Sequence, residues 1–183
     1  MSEKAPNVTR KIVLSIVLLV IFLIVGLNSF QKLKPFYFKM SASSMTPTIL
    51  KNDSTLVNPF AYSKEEPQRW DIIVFKKPDD GKMWVSRIVG MPTEKIEIRS
   101  GSVYINDQLM NFLENKGKAY YTNAGDFGKE GKAIIIPKNM YFTLSDNSSN
   151  ALDSRYWGFI PRKNIIGKVI AVKSNNGQVL EIK

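Results

Sequence analysis

Residues 83–106 read MWVSRIVGMPTEKIEIRSGSVYIN, and this stretch decides the fold class. It contains short segments rich in Val and Ile, at 83–91, 95–99 and 102–106. Segments of this length and composition are typical of β-strands. Ser100 and Gly101 separate the last two segments, and a two-residue linker of this kind is typical of a β-hairpin. The stretch therefore predicts three consecutive strands, the last two joined by a tight turn.

The same pattern continues through the rest of the chain after the N-terminal region. Further strand-like segments lie at 54–58, 71–76, 133–137, 141–144, 165–172 and 179–183. No long amphipathic helix interrupts them, so the sequence predicts a mostly β domain of the barrel or sandwich type over residues 36–183. Residues 113–130 are polar and Gly-rich, and we expect a long loop or a small insertion there.

An uncharged apolar run, IVLSIVLLVIFLIVGLNSF, occupies residues 12–30. At the helical rise per residue it nearly matches a hydrocarbon core of about 30 Å. The run is longer than the apolar part of a typical cleaved secretory signal, and no clear cleavage site follows it. The sequence therefore favours a retained transmembrane anchor after a tail of residues 1–11. Three Lys or Arg residues lie close to the run on each side, so charge alone does not fix the orientation.

The composition excludes several kinds of active site. The chain contains no Cys and no His. A thiol nucleophile, a disulfide, a Ser-His-Asp triad and a His-ligated zinc are therefore excluded, and we expect no metal and no cofactor. A serine nucleophile would need a different base, usually lysine. The net charge of +10 comes from scattered Lys and Arg residues, which favours an anionic lipid surface over nucleic acid as a partner.

Four short motifs lie between residues 44 and 158. They are SMTPT at 44–48, RWDIIVF at 69–75, SRIVGMPTE at 86–94, and SDN at 145–147 with DSRYWG at 153–158. In order and spacing they resemble the characteristic boxes of the type I signal peptidases, in particular those of Gram-positive bacteria. The resemblance implies a membrane-bound serine endopeptidase with its β domain outside the cytoplasm and the tail of residues 1–11 inside. Its substrates would be exported preproteins, from which it removes signal peptides.

The resemblance also assigns roles to individual residues. Ser44 matches the serine nucleophile, and Ser86 stands at the position of the family's lysine base. The residues that match supporting positions are Met45, Pro47, Arg87, Asp146, Asn147, Asp153 and Arg155. We expect Asp153 and Arg155 to form a charge-assisted ion pair. Asp146 and Asn147 are expected to satisfy backbone groups within a loop.

The residue at position 86 departs from the family pattern. The family's lysine must be neutral to accept the serine proton, and this requires desolvation in an apolar pocket. A hydroxyl is a far weaker base, so Ser86 does not replace the lysine. Ala151 stands where the resemblance places a serine that binds the lysine, and Ser145 stands where it places a glycine. The other lysines considered as a base are Lys39, Lys82 and Lys95, and none is expected to reach the site without a change of strand register.

Three functional hypotheses remain open at this point. The first is an active signal peptidase with Ser44 as its nucleophile. The second is a catalytically impaired homologue that binds extended or signal-peptide-like segments by strand addition. Such a homologue would be an accessory protein or chaperone for secreted proteins, for example for pilins in pilus assembly. The third is a plain structural module, which the intact motif at 44–48 disfavours.

Overall fold

The computed structural model describes residues 8–31, 34–110, 121 and 125–182. The chain divides into two units, Met1–Lys34 and Pro35–Lys183. The first contains helix α1, Val8–Gln31, in which the described side chains at 12–23 are exposed. Among the described residues, none of the helices combines the length and the apolar character that crossing a membrane requires.

The second unit is built mainly from β-strands. Its described elements are β1 Phe36–Lys39, β2 Ser54–Asn58, β3 Ile72–Lys76, β4 Met83–Gly90, β5 Lys95–Arg99, β6 Ser102–Ile105, β7 Gln108–Leu109, β8 Ile134–Ile135, β9 Met140–Leu144, helix α2 Ser154–Trp157, β10 Ile160–Pro161, β11 Ile165–Lys173 and β12 Val179–Glu181. The prediction of a mostly β domain is confirmed.

The strands form two antiparallel sheets. The larger sheet has the order β1-β2-β11-β3-β4-β9-β10, with β12 beside β11, and the smaller sheet has the order β7-β6-β5-β8. No pairing among the described residues joins β1 to β10, so the larger sheet is open at both ends in this part of the chain. The described strands therefore do not form the closed ring of a β-barrel, one of the two architectures that the sequence predicts.

The stretch that opened the sequence analysis folds as predicted, into β4, β5 and β6. Arg99 pairs with Ser102 across the β5–β6 hairpin, and the two residues between them are Ser100 and Gly101. Their φ angles are 45° and 76°, the positive values that a two-residue hairpin turn of this type requires. Of the expected loop at 113–130, residues 113–120 and 122–124 lie outside the described residues, and residues 126 and 127 form a turn.

The sequence analysis did not identify β1, β7 and β10. Each has only two to four residues. A strand this short shows too little alternation of apolar and polar residues for a pattern to be recognised. Their pairing depends on neighbouring strands. For example, β1 pairs with β2 from Phe36 to Lys39.

A buried apolar cluster connects the motif at 44–48 to the larger sheet. Met45 has no exposed surface and packs in one cluster with Val57 of β2, Ile72 of β3 and Val85 of β4. Burying a side chain of this size contributes about 1.5–3 kcal/mol. The segment after Ser44 is therefore fixed against the sheet by Met45.

We predict that Gly167→Ala destabilises the domain. A Cβ at this position of β11 would lie 2.5 Å from the backbone oxygen of Asn58 and 2.9 Å from the Cα of Pro59. Because backbone atoms at the end of β2 would have to move, we expect a loss of about 1–3 kcal/mol in the free energy of unfolding, measured by chemical denaturation.

Lys173→Ala is the matched control for Gly167→Ala. Lys173 is exposed at the end of the same strand, and its replacement should change the free energy of unfolding by less than about 0.5 kcal/mol. Equal stabilities of the two variants would contradict the close approach of β11 to Asn58.

Candidate active site

Ser44 lies in a turn segment between β1 and β2. It is buried, with 9% of its surface exposed. The turn is closed by backbone hydrogen bonds, in which Thr46 N–H donates to the Ser43 carbonyl at 3.1 Å and Ile49 N–H donates to the Met45 carbonyl at 2.9 Å. The position of Ser44 is therefore set by its own turn and by the buried side chain that follows it.

The loop after β9 holds this turn from the other side. The Asn147 N–H donates to the Ser44 carbonyl at 2.9 Å, and the Asn147 side-chain amide donates to the Ser43 carbonyl at 3.0 Å. Asn147 therefore satisfies backbone groups, as predicted. The Asn150 amide adds a bond to the Ser43 hydroxyl at 3.0 Å.

Asp146 has a different role from the one predicted. It accepts from the side chain of Arg87, with Nε–Oδ1 at 2.8 Å and Nη2–Oδ2 at 2.6 Å. Both residues are buried, and Arg87 also donates to the Trp70 carbonyl at 2.9 Å. The expectation that Asp146 satisfies backbone groups of the loop is wrong. The pairing of Arg87 with Leu144 between β4 and β9 brings the residues after β9 beside a buried guanidinium, which needs a carboxylate there.

The expected ion pair of Asp153 and Arg155 is present. Arg155 Nε lies 2.8 Å from Asp153 Oδ1, and neither side chain has exposed surface. Asp153 also accepts from the Ser145 N–H at 3.2 Å, and Arg155 donates to the Ser148 carbonyl at 3.0 Å. Since Asp146 is held by Arg87, ion pairs fix both the start of the 145–153 loop and its end.

Ser86 is buried on β4 with 2% of its surface exposed, opposite Ile73 of β3. Its hydroxyl oxygen is inaccessible to solvent and has no hydrogen-bond partner among the described residues. It therefore makes no hydrogen bond to Ser44. Buried hydroxyl groups are normally hydrogen-bonded, so the Ser86 hydroxyl is an exception.

The three lysines considered as alternative bases lie in other surroundings. Lys39 is exposed on β1. Lys95 forms an ion pair with Asp107 at 2.6 Å on the smaller sheet. Lys82 precedes β4, with 78% of its side chain exposed and Asp80 at 3.8 Å. Among the described residues, no hydrogen bond joins any of these lysines to Ser44.

A cavity of about 500 Å³ opens beside Ser44. Its lining consists of Phe38, Met40, Ser41, Ala42 and Ser44 on one side, residues 82–85 on another, and residues 149–152 of the loop after β9. In the described part of the chain, β1 pairs only with β2. β4 pairs with β9 only from Arg87 onward, so its first residues have an unpaired edge. The cavity therefore lies between two free strand edges.

Two residues that shape this site are not identified by the sequence motifs. Ser43 and Asn150 are bonded to each other across 107 positions of sequence. The polar composition of 145–150 indicated a loop, but no local pattern identifies a partner so far away in the sequence. The lining of the cavity is not identified by a local pattern either, since its walls come from three separate segments.

We predict opposite stability changes for two buried serines. Ser86→Ala removes a hydroxyl without a partner and should raise the free energy of unfolding by about 1 kcal/mol. Ser154→Ala should lower it by about 1 kcal/mol, because the Ser154 hydroxyl accepts from the Thr143 N–H at 3.0 Å. Chemical denaturation measures both changes. A loss of stability in Ser86→Ala equal to that in Ser154→Ala would show that the Ser86 hydroxyl has a partner in the folded protein.

We also predict that Asp146→Asn strongly destabilises the fold, by about 3–5 kcal/mol, because it leaves the buried Arg87 charge unpaired. Asp107→Asn is the control, since Asp107 pairs with Lys95 and Arg99 at the surface. Urea unfolding of the two variants should separate them clearly. Similar midpoints would contradict a structural role for the buried pair.

Comparison with known proteins agrees with the sequence motifs. Residues 9–173 match the family model described as "Signal peptidase, peptidase S26". A probable signal peptidase I-2 of Synechocystis sp. is 32% identical over 133 residues, which cover 69% of this chain and 57% of that protein. A signal peptidase I V of Bacillus subtilis is 31% identical over 139 residues, which cover 72% of this chain and 82% of that protein.

A crystal structure of a signal peptidase I from Enterococcus faecalis is also similar, with 30% identity, a TM-score of 0.48, and coverage of 57% of this chain and 97% of that one. The chain spans only 57% and 64% of the lengths of the Synechocystis and Leptolyngbya laminosa relatives. The relatives include cyanobacterial and Bacillus proteins, so the narrower assignment to the Gram-positive type stays a prediction. The match over residues 9–173 nevertheless covers most of the chain, and the protein belongs to the S26 family of signal peptidases, the type I signal peptidases.

Proposed function

We propose that this protein is a membrane-anchored signal peptidase homologue that binds extended, preprotein-like segments beside Ser44 and hydrolyses them poorly. One observation carries the proposal. At the position where the family resemblance places the lysine base, the structure has the Ser86 hydroxyl, buried and without a hydrogen-bond partner among the described residues.

The two free strand edges support binding of an extended segment. Unpaired backbone groups at a sheet edge accept an added strand, and main-chain hydrogen bonds then provide affinity without a fixed sequence. The cavity beside β1 and β4 offers small or apolar side chains such as Met40, Ala42 and Ala151 to the segment. Alternate side chains of a strand point to opposite faces, so the bound segment would place small or apolar residues against this wall.

The surroundings of Ser44 support slow hydrolysis. A serine hydroxyl becomes a good nucleophile when a neighbouring base accepts its proton. The Ser86 hydroxyl is a very weak proton acceptor, and Ala151 in the cavity wall offers a methyl group where the family's serine would bind the lysine. Lys82 also lines the cavity, but its side chain is 78% exposed, whereas a lysine base needs burial in apolar surroundings.

The proposal includes a membrane location. Helix α1 has 24 residues and is about 36 Å long at the helical rise. The uncharged apolar run comprises residues 12–30 of the sequence. The structure describes the side chains of residues 12–23 of this run. We place residues 1–11 in the cytoplasm and residues 36–183 outside it, as the family resemblance implies. A role in pilus assembly, with pilins as ligands, stays a prediction from sequence.

A preprotein cleavage assay tests the catalytic part of the proposal. The full chain in detergent is compared with Ser44→Ala and with a triple variant that restores the family pattern, Ser86→Lys/Ser145→Gly/Ala151→Ser. We expect the unsubstituted protein to cleave at a rate close to that of Ser44→Ala. The triple variant should cleave at least tenfold faster, since a tenfold rate corresponds to only about 1.4 kcal/mol in the barrier.

Two controls make this assay decisive. Adding Ser44→Ala to the triple variant should abolish the gain, and thermal unfolding of each variant shows whether the buried lysine is tolerated. Cleavage by the unsubstituted protein that is as fast as cleavage by the triple variant, and that Ser44→Ala removes, would sink the proposal of slow hydrolysis. It would identify the chain as an active signal peptidase with a base other than residue 86.

A further inference from the structure

We infer that Lys82 makes the cavity beside Ser44 prefer a bound segment that carries an acidic side chain. This inference rests on the proposed function, because it concerns the same cavity. Among the described residues that line the cavity, Lys82 is the only charged one, and none of them is Asp or Glu. The remaining lining residues are apolar or neutral and polar, so the charge of Lys82 is not balanced within the cavity wall.

Lys82 forms a long, exposed ion pair with Asp80, which leaves the hydrogen-bond donors of its ammonium unused. Its ammonium lies 3.8 Å from Asp80 Oδ2, beyond hydrogen-bond distance. Asp80 is shared with Lys77, which lies 4.0 Å from the same oxygen and also forms an ion pair with Asp79. An ammonium has three donors, and no hydrogen bond of the Lys82 ammonium is present among the described residues. These donors are available to a carboxylate of the ligand.

The backbone of Lys82 is held firmly although its side chain is exposed. The Lys82 N–H donates to Asp80 Oδ1 at 2.9 Å. The Lys82 carbonyl accepts from the Lys77 N–H at 2.9 Å. The residue therefore enters the cavity wall from a fixed position at the start of β4, and its four-carbon side chain reaches a limited part of a bound segment.

The position of Lys82 directly before β4 defines which ligand residue it contacts. Lys82 precedes Ser86 by four residues, a distance of about 13 Å at the rise of an extended strand. A segment added to the free edge of β4 has the same rise per residue. The acidic side chain would therefore lie about four positions from the ligand residue next to position 86. The expected ligand class is an extended polypeptide with small or apolar residues near Ser44 and an Asp or Glu at that distance.

The expected effect is modest because the ammonium is exposed. Ion pairs at such sites change a dissociation constant by about two- to fivefold. Screening by salt should bring the ratio close to one at about 1 M ionic strength, where the Debye length is only about 3 Å.

The test uses fluorescent ten-residue peptides and the full chain in detergent, with dissociation constants measured by anisotropy at low salt. Each position of a neutral parent peptide is replaced in turn by Asp and by Asn. At one position Asp should bind about two- to fivefold tighter than Asn. Lys82→Gln should abolish this difference. Lys82→Glu should bind a peptide with Lys at that position tighter than the peptide with Asp. Lys163→Gln, at an exposed residue outside the cavity lining, should leave it unchanged.

Two results would overturn the inference, and they separate it from the proposed function. Peptides that bind with equal dissociation constants for Asp and Asn at every position, or with a difference that persists in Lys82→Gln, would leave the binding function standing and refute the role of Lys82. If no peptide of the series binds at all, both the inference and the proposed binding function fail.

Discussion

The buried ion pair between Arg87 and Asp146 is the interaction on which the site depends. It joins the middle of β4 to the loop after β9 through two hydrogen bonds. Asn147, the next residue of that loop, holds the carbonyl of Ser44. Because two buried charges each need the other, the pair is held in one arrangement. The turn that contains Ser44 and the middle of β4 are therefore fixed to the same loop, whatever side chain stands at position 86.

The contacts that hold the segment around Ser44 do not depend on the side chain at position 86. In the part of the chain that the structure describes, Met45, Asn147 and the hydrogen bonds of the turn hold Ser44, and the Ser86 hydroxyl makes no hydrogen bond to it. The second buried pair, Asp153 with Arg155, fixes the far end of the loop and so the cavity wall at 149–152. The proposed binding of an extended segment needs the cavity and its strand edges, whereas hydrolysis would also need a base for the serine proton. Binding and hydrolysis have different structural requirements in this fold.

The sequence predicts the local part of this structure well. The strands at 54–58 and 95–99 have the bounds predicted, and the turn at Ser100 and Gly101 follows from two residues alone. Asp153 and Arg155 could be paired because they lie two positions apart. Asp146 and Arg87 lie 59 positions apart, and their contact depends on the register between β4 and β9. A sequence pattern reports on local periodicity and turn chemistry, whereas a register between distant strands is decided by the packing of the whole domain.

Residues 82 and 86 show why solvent exposure decides what a side chain at this site can do. A lysine that acts as a base must lose its proton, and burial in apolar surroundings makes the charged form unfavourable. Position 86 provides that burial but carries a hydroxyl, and residue 82 carries an amine but is 78% exposed. The same exposure that excludes Lys82 as a base keeps its charge accessible to a ligand carboxylate. Burial and an amine, the two requirements of the family's base, therefore occur at two different residues of one strand region, and the proposal of recognition over cleavage rests on this difference.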